Sequence, residues 1–352
     1  MPHITICGGG SLGLVCAAFL ASQPDVRVSL YTRHPGDWQQ EISCTDPDGK
    51  EYRGRLDVIS YRAAEVIPQA DIVLFTLPGF LIRQTLQDIR PHLHPRTLVG
   101  SIVSSTGFFF TAHEVLEPRT PLFGFQRVPF IARVDRYGSH GLLLGYKPSL
   151  AMALENVEDR EDAGKLFSRL FATPVSLLAS HYEASLTNSN PILHTGRLWS
   201  MWHDWQGESR PGCGLFYREW DEASAQVIID MDAEFQQLLQ RLPVTPGAIP
   251  TLLDYYESSD AASLAAKLRS IKAFQAILSP MTETPDGWVP DFHSRYFTED
   301  FPYGLHFIWQ LCREHHIPAP VIGKVYEWGM SRIDRTQGKD PLAPVQRKTN
   351  EQ

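Results

Sequence analysis

Short apolar runs alternate with helical segments over the first part of the chain. ITIC at residues 4–7 and VRVSLY at 26–31 combine apolar and β-branched residues, as buried strands do. DIVLFTLP at 71–78 and TLVGSIVSSTG at 97–107 are apolar runs bounded by polar residues, a pattern typical of central parallel strands. Helices are predicted after the first run and over about residues 80–90. The alternation predicts a parallel sheet with right-handed crossovers.

The next segments are expected to extend or decorate this sheet. Residues 37–70 are polar and turn-rich, which indicates an insertion or a short hairpin. Three strand-like segments, GLLLGY, AMALEN and VSLLAS, follow between residues 120 and 180, and a helix is predicted at about 160–172. All three could join the same sheet.

The hydrophobic pattern changes at about residue 181, where segments with the periodicity of amphipathic helices replace the β-branched runs. Helices are predicted at 221–241 and 260–279, and three tryptophans spaced by three residues, Trp199, Trp202 and Trp205, would line one helix face as packing. Residues 336–352 form a polar tail. We therefore predict an α/β protein, with a doubly wound parallel Rossmann sheet over residues 1–180 followed by an all-α domain over 181–352.

The turn after the first strand has the spacing G-x-G-x-x-G, formed by Gly8, Gly10 and Gly13. In dinucleotide-binding folds the first glycine allows the tight turn, the second lets a pyrophosphate approach the backbone, and the third lets helix and strand pack closely. The helix N-terminus then offers N–H groups to the phosphates. We predict that this turn, with Ser11 and Leu12 at the helix start, binds a dinucleotide cofactor.

The end of the second strand selects between the two nicotinamide cofactors. An acidic residue there binds the ribose 2′-hydroxyl of NAD, whereas an arginine accommodates the 2′-phosphate of NADP. Arg33 stands 20 residues after Gly13, and neither Thr32 nor Tyr31 is acidic. The sequence favours NADP over NAD, and Thr32 and Arg33 are predicted to contact the cofactor.

Ligands of such sheets lie beyond the carboxyl ends of the strands. Leu77 and Pro78, after the third predicted strand, and residues 104–107, after the fourth, are therefore candidate walls of the cofactor crevice. Ordinary strand-to-helix turns would explain both segments equally well.

Composition narrows the function class. The 352 residues carry a net charge of −8 at a pI near 5.9, which argues against a nucleic-acid binder. The uncharged stretch at 4–24 is broken by three glycines and has no basic flank, so it predicts neither a signal peptide nor a membrane span.

Five widely spaced cysteines indicate unpaired thiols in a reducing, cytoplasmic setting. No metal-ligand spacing is present among the 13 histidines, so no metal site is expected.

Two segments of the second half carry residues suited to redox chemistry of oxo compounds. TNSNPILHTGR places Asn190 and His194 four residues apart, on one face of a helix that Pro191 can begin. GWVPDFHSRYFTEDFPYGL contains Arg295 and Asp300. A histidine can exchange the proton that accompanies hydride transfer, a carboxylate can orient it, and an arginine can grip a substrate carboxylate. Spacing alone does not bring residues 194 and 300 together, and a buried structural histidine is the alternative.

The chain resembles the opine (octopine/nopaline) dehydrogenase family over most of its length. The resemblance rests on N-P-x-L-H at 190–194 and R-Y-F-x-E-D-x-P-Y-G-L at 295–305. It implies a Rossmann domain followed by a helical domain, and the NAD(P)H-dependent reductive condensation of a 2-oxo acid with an amino acid. Family members that use NAD carry an acidic residue where this chain has Thr32 and Arg33, and this departure puts NAD use in doubt.

The resemblance also implies residue roles. His194 would be the catalytic acid/base and Asp300 its partner, while Arg295 and Asn190 would position the substrate. Lys272 is a weaker candidate, since a solvated helix lysine explains it as well. The pair Gln126–Arg127, after a phenylalanine-rich stretch, is a weaker candidate for reaching a substrate carboxylate.

Two other functions stay open at this stage. The same fold supports a simple NADP-dependent reductase of a 2-oxo acid, or a non-catalytic protein that senses NADP(H). A sensor has no need of a proton donor, which argues against the second. Small-molecule substrates are the expected partners, without nucleic acid or membrane. The aromatic second half allows a homodimer interface, and core packing explains the same aromatics. The sequence does not identify the amino acid or the oxo acid.

Overall fold

The computed structural model describes residues 1–337 of the chain and divides into two compact units. The first unit covers Met1–Ser185, and the second begins at Leu186. The predicted boundary lies at 180/181, whereas the structure groups the short helix at 181–185 with the first unit. Of the polar tail predicted at 336–352, residues from 338 onward lie outside the described part.

The first unit contains the predicted alternation of strands and helices. Its strands are β1 (His3–Cys7), β2 (Arg27–Tyr31), β3 (Glu41–Thr45), β4 (Glu51–Arg55), β5 (Ile59–Ser60), β6 (Ile72–Phe75), β7 (Leu98–Ile102), β8 (Leu122–Phe125), β9 (Phe130–Arg136), β10 (His140–Tyr146), β11 (Leu150–Glu155) and β12 (Val175–Leu177). Its helices are α1 (Ser11–Ala21), α2 (Ala63–Val66), α3 (Gly79–Ile89), α4 (Phe108–Val115), α5 (Arg160–Leu170) and α6 (His181–Ser185), with 3₁₀ turns at Pro35–Asp37, Arg90–His92 and Ser104–Thr106.

The main sheet has eight strands in the order β12-β11-β8-β7-β6-β1-β2-β5. β1 pairs in parallel with β2 on one side and β6 on the other, with Ile6 opposite both Leu30 and Leu74. Chain order therefore reverses at β1, which is the position where open α/β sheets bind their ligands. The pairing of β8 with β11 is antiparallel. The predicted Rossmann sheet is confirmed.

Helices cover both faces of this sheet, as the near-continuous apolar strands require. Ile72 of β6 belongs to one core cluster, and Val73, the next residue, belongs to the other. Leu14 of α1 packs in the first core, and Ile82 of α3 packs in the second. The alternation of β6 side chains between two cores explains why its sequence shows no polar face.

A second sheet, with strand order β4-β3-β10-β9, was not anticipated. The hairpin expected within 37–70 is formed by β3 and β4, but GLLLGY forms β10 of this second sheet and does not extend the main one. AMALEN and VSLLAS supply β11 and β12 of the main sheet. The second sheet packs on α1 through small residues. A Cβ at Gly141 would lie 2.8 Å from Cγ2 of Val15, and one at Gly54 would lie 2.4 Å from Cβ of Ala21.

Over residues 186–337 the second unit is helical apart from one hairpin. Its helices are α7 (Asn190–Trp202), α8 (Glu222–Leu239), α9 (Leu252–Tyr255), α10 (Ala261–Ser270), α11 (Arg295–Thr298), α12 (His306–Glu314) and α13 (Pro320–Gln337), with a 3₁₀ turn at Lys272–Phe274 and a π-helix at Phe301–Leu305. Strands β13 (Met281–Thr284) and β14 (Gly287–Pro290) pair as an antiparallel hairpin that the all-α prediction did not include. Arg210 bridges to Trp288 of β14, which ties the hairpin to the preceding loop.

Two local predictions need correction. Trp202 is the last residue of α7, so Trp205 lies beyond the helix and does not share its face with Trp199. The predicted helix at 260–279 ends at Ser270, and Lys272 begins a 3₁₀ turn with an exposed side chain. Ile271, with a ψ of 111°, is extended and ends the helix.

All five cysteines are unpaired, and four of them are buried. Over residues 1–337, no helix combines the length and the apolar character needed to cross a membrane.

Candidate functional site

The glycine turn after β1 is shaped by close packing. Gly8 has a φ of +119°, which L-residues with side chains rarely adopt, and a Cβ there would lie 2.8 Å from Thr76 Oγ1. A Cβ at Gly13 would lie 2.0 Å from the carbonyl oxygen of Gly8. These two glycines therefore let β1, α1 and the end of β6 approach one another, as the motif predicts.

Gly10 has a different role at the start of α1. It is the N-cap residue, no side chain caps the helix, and a Cβ at this position would meet nothing within 4 Å. The first N–H groups of an α-helix have no intrahelical acceptor, and the helix dipole favours an anion at this end. Ser11 and Leu12 would therefore contribute through backbone N–H groups. This arrangement fits the pyrophosphate of a dinucleotide.

A crevice of about 470 Å³ opens at the carboxyl ends of β1, β2 and β6. Six of the predicted cofactor residues line it: Gly8, Gly10, Thr32, Arg33, Leu77 and Pro78. Ser11, Leu12 and Gly13 do not line it. The lining also includes residues that the sequence analysis missed, among them Tyr31, Gln84, Asp88 and Tyr137. The first unit thus carries a cavity of the size and position expected for part of a nicotinamide dinucleotide.

Charged side chains stand on two walls of this crevice. Arg33, exposed at the end of β2, has no hydrogen-bond or ion-pair partner among residues 1–337. Asp88 on α3 accepts hydrogen bonds from the Tyr31 hydroxyl at 3.1 Å and from the Gln84 amide at 3.0 Å. Asp88 was missed because it lies on α3, the helix that follows β6. A ribose-binding carboxylate is usually sought at the end of β2.

The second unit brings His194 and Asp300 together across 106 residues of sequence. His194 Nδ1 lies 2.7 Å from Asp300 Oδ2, and both side chains are largely buried, at 10% and 19% exposed. His194 lies on α7, and Pro191 stands in the first turn of this helix, where proline is favoured. Asp300 directly precedes the π-helix, whose Leu305 N–H donates to the Asp300 carbonyl at 2.7 Å.

The two motif segments meet because their small residues allow it. A Cβ at Gly304 of the π-helix would lie 2.7 Å from Cγ of Pro191 on α7. Only glycine fits at this distance, so the Pro191 ring and Gly304 fix the separation of the two segments. π-helical turns occur frequently at functional sites, where they re-aim side chains. Here the turn begins immediately after Asp300, the residue that holds the imidazole.

A third residue, Tyr217, completes the surroundings of His194. The Tyr217 hydroxyl lies 2.8 Å from His194 Nε2, so both imidazole nitrogens have partners. The rings of Phe216, Tyr217 and Tyr296 contact the imidazole, the nearest being Tyr296 at 4.6 Å between centroids. Tyr217 was missed because it lies in a loop between α7 and α8 and belongs to no recognisable motif.

The geometry assigns the proton positions. An ionised Asp300 can only accept a hydrogen bond, so His194 Nδ1 carries a proton, and in the neutral imidazole Nε2 is then an acceptor. Burial raises the pKa of Tyr217 far above its ordinary value, and the nearby Tyr296, Tyr256 and Asp300 act in the same direction. The phenol therefore keeps its proton and donates to Nε2. When His194 is protonated, Nε2–H donates to the Tyr217 oxygen instead.

The other predicted site residues are placed differently. The Arg295 side chain is 82% exposed and forms a bidentate pair with Glu299, with Nε–Oε1 at 2.8 Å and Nη2–Oε2 at 2.9 Å. Asn190 is the first residue of α7, and its backbone N–H donates to Asn188 Oδ1. The Gln126 amide donates to the Glu183 carbonyl at 3.1 Å. The structure therefore joins His194 to Asp300 and gives Arg295 a carboxylate partner of its own.

Replacing Tyr217 by phenylalanine should lower kcat by about 10–150-fold, because a hydrogen bond to an ionisable partner is worth roughly 1.5–3 kcal/mol. The variant keeps the ring, which stacks on Phe274 at 4.2 Å. Tyr326→Phe is the matched control, since Tyr326 also hydrogen-bonds a histidine, His306, in the second unit. Steady-state rates of both variants check this prediction, and a wild-type kcat for Tyr217→Phe would contradict it.

Comparison with known proteins finds family matches in both halves of the chain. Residues 177–332 match the family described as "NAD/NADP octopine/nopaline dehydrogenase, alpha-helical domain". Residues 4–107 match the family "Ketopantoate reductase PanE/ApbA". The chain is 25% identical to opine dehydrogenase of Haliotis discus hannai, with 96% of this chain and 93% of the relative covered. It is 26% identical to tauropine dehydrogenase of Arabella iricolor, with 95% and 92% covered.

The helical part of the chain matches the octopine/nopaline dehydrogenase family, and nearly the whole chain is similar to opine dehydrogenases. A solved structure of octopine dehydrogenase with NADH and L-arginine has the same fold, with a TM-score of 0.83, 23% identity, and 95% of this chain and 90% of that chain covered. Yersinopine dehydrogenase with NADP⁺ bound is a more distant match, with a TM-score of 0.67, 12% identity, and 96% and 93% covered. His194, Tyr217 and Asp300 all lie within residues 177–332, the range that matches the family of the helical domain.

Proposed function

We propose that the protein reductively condenses a 2-oxo acid with an amino acid, with NADPH as the preferred reductant, and that His194 exchanges the proton of this reaction. By its similarity to opine dehydrogenases it is an NAD(P)-dependent oxidoreductase that acts on CH–NH bonds. The observation that carries the proposed role of His194 is its buried contact with Asp300 and Tyr217.

The overall reaction balances as oxo acid, amine, NADPH and one proton giving a secondary amine, NADP⁺ and water. The amine adds to the oxo carbon, and the oxo oxygen leaves as water when the C=N bond forms. The nicotinamide, when bound, supplies the hydride that reduces this C=N bond. The protein has to hold both substrates, move protons at the leaving oxygen and the nitrogen, and restrict competing water.

His194 is suited to the proton transfers. Imidazole is the side chain whose charge ordinarily changes near neutral pH. Asp300 fixes the tautomer through Nδ1, which leaves Nε2 as the exchanging atom. Because the Tyr217 hydroxyl bonds Nε2, a substrate atom must either displace this hydroxyl or exchange its proton through it. Tyr217 therefore either limits access to Nε2 or relays its proton.

Substrate carboxylates need cationic partners. Arg295 lies five residues before Asp300, and its guanidinium pairs with Glu299 at the surface of α11. Binding a substrate carboxylate would require the guanidinium to leave Glu299 or to use its remaining N–H groups. The role of Arg295 in substrate binding, and that of Asn190 at the start of α7, therefore stay predictions.

The preference for NADPH rests on the end of β2. Arg33 lines the crevice, and no acidic residue occupies position 31, 32 or 33. Solved relatives include octopine dehydrogenase with NADH and yersinopine dehydrogenase with NADP⁺, so this similarity leaves the choice open. A guanidinium without a partner is a ready site for a 2′-phosphate.

The decisive experiment measures NADPH oxidation with an oxo acid alone, an amino acid alone, and both together. Pyruvate and arginine are suitable first members of each panel, because they occupy solved octopine dehydrogenases. We expect oxidation at low oxo-acid concentration only when both substrates are present, and a secondary amine as product by mass spectrometry. Full-rate oxidation with an oxo acid alone would instead establish a simple 2-oxo acid reductase. Homodimer formation and cytoplasmic location stay predictions from the sequence.

A further inference from the structure

A compact cluster of two histidines and one carboxylate lies in the first unit, away from the crevice lining. His113 on α4, Glu155 at the end of β11 and His181 at the start of α6 contribute one ligand atom each, and these three atoms lie within 4.8 Å of one another. His113 Nε2 is 2.7 Å from Glu155 Oε2, and His181 Nδ1 is 2.6 Å from Glu155 Oε1. The cofactor and the proton-transfer site account for none of these residues.

The cluster is partly enclosed and open on one side. The side chains of His181, Glu155 and His113 are 9%, 25% and 45% exposed. The His181 ring is held by Phe109 and Tyr182, with centroids at 5.2 and 4.0 Å, so its orientation is fixed. Because His181 is buried and fixed while His113 is exposed, a solvated ion can enter the site from the side of His113.

The carboxylate joins the two histidines, since each of its oxygens accepts a hydrogen bond from one imidazole. Each neutral imidazole can carry its single proton on either nitrogen, so both can present a lone pair to an ion at the nitrogen that now faces Glu155. The site then supplies one negative charge and two neutral nitrogens.

We propose that His113, Glu155 and His181 form a binding site for a divalent transition-metal ion, of which Zn²⁺ is the best match. Zn²⁺ binds imidazole nitrogen and carboxylate oxygen at about 2.0–2.2 Å in a tetrahedron, which sets ligand atoms about 3.4 Å apart. Each histidine nitrogen lies 2.6–2.7 Å from its own carboxylate oxygen, less than about 1 Å short of this spacing. Two nitrogen ligands disfavour Mg²⁺ and Ca²⁺, and the absence of a thiolate from the set disfavours Cu⁺.

The fourth position of such a site would hold water on the exposed side of His113. The ion would join three elements that are separate in sequence: α4, β11 and α6. Since α6 is the last element of the first unit, its position would be fixed by metal as well as by packing. The expected consequence is stabilisation of the first unit on metal binding, because a ligand that binds only the folded state adds to its stability.

The test uses the full chain after treatment with a chelator, titrated with ZnCl₂ by calorimetry and with CoCl₂ by visible absorption. We expect one ion per chain with micromolar or tighter affinity, a visible absorption band of tetrahedral Co²⁺, and a rise in Tm of about 5 °C in excess Zn²⁺. His113→Ala is the main variant, because His113 is exposed and its removal disturbs little packing. It should weaken binding by at least about 100-fold, as losing a direct ligand costs more than losing its hydrogen-bond partner.

Two further variants decide between interpretations. Glu155→Gln should also weaken binding, since it removes the only charge of the site. His315→Ala removes an exposed histidine of the second unit and should leave the affinity and the Co²⁺ spectrum unchanged. If the wild type takes up no stoichiometric metal, or if His113→Ala and the wild type bind equally, the three residues form a hydrogen-bonded cluster only and the proposal is wrong. The Tm of each variant without metal reports whether it is folded.

Discussion

Replacing His194 by alanine should lower kcat by about 10²–10⁴-fold and leave NADPH binding close to that of the wild type. The loss follows from removal of the proton-exchanging group. Binding should persist because all crevice-lining residues belong to the first unit, whereas His194 belongs to the second. Steady-state rates and fluorescence titration with NADPH measure the two effects separately.

Asp300→Asn should also lower kcat, and the two losses should be far from additive. Asp300 acts through its 2.7 Å contact with Nδ1, so it has little left to contribute once the imidazole is absent. Residues that act as a unit show such non-additivity. In the double variant we expect a rate near that of His194→Ala alone, and a rate equal to the product of the two losses would contradict the pairing.

The direction of the pH dependence follows from the same site. Reduction of the oxo-acid/amine pair consumes a proton, which we propose His194 delivers, so its rate should fall as pH rises. Oxidation of the secondary amine releases a proton and should speed up over the same range. His203→Ala is a matched control, because His203 follows the same helix and stacks on Trp199 at 4.1 Å. Its pH profiles should match those of the wild type in both directions.

Local sequence patterns predicted β1, β2, β6 and β7 of the Rossmann sheet, because each of these strands is a largely buried apolar run. The parallel strands β5 and β8 of the same sheet were not predicted. The second sheet was missed for a physical reason. GLLLGY has the composition of either a main-sheet or a second-sheet strand, and its parallel pairing with β3, His140 opposite Ser43, spans 97 residues.

The candidate site residues also divide into those that local spacing predicted and those that it did not. Gly8, Gly10 and Arg33 are close in sequence to the strands that present them, so spacing located them. His194 and Asp300 were joined by resemblance to a family and not by spacing, and the structure places them in contact. Tyr217 and Asp88 could not be found, since each acquires its role only from neighbours that the fold brings to it. The cluster of His113, Glu155 and His181 has gaps of 42 and 26 residues, which no ligand spacing rule covers.

Replacing Arg33 by aspartate should reverse or abolish a preference for NADPH over NADH in kcat/KM. In the wild type we expect NADPH to be favoured by about 10–150-fold, because a charge-assisted contact with phosphate is worth roughly 1.5–3 kcal/mol. The aspartate would repel the 2′-phosphate and could accept a hydrogen bond from the ribose 2′-hydroxyl of NADH. The measurement is kcat/KM for both cofactors at saturating substrates.

The neighbouring Asp88 makes this prediction sharper. Its carboxylate is held by Tyr31 and Gln84 on another wall of the same crevice, so it is already engaged and is expected to stay in place in the variant. Arg96→Asp is the matched control, because it makes the same charge change at an exposed residue before the amino end of β7, whereas the crevice opens at the carboxyl ends of the strands. Cofactor preference should change in Arg33→Asp and stay at the wild-type value in Arg96→Asp. If the wild type uses both cofactors equally and Arg33→Asp alters neither, Arg33 does not contact the 2′-phosphate, and selection of the cofactor lies elsewhere in the crevice.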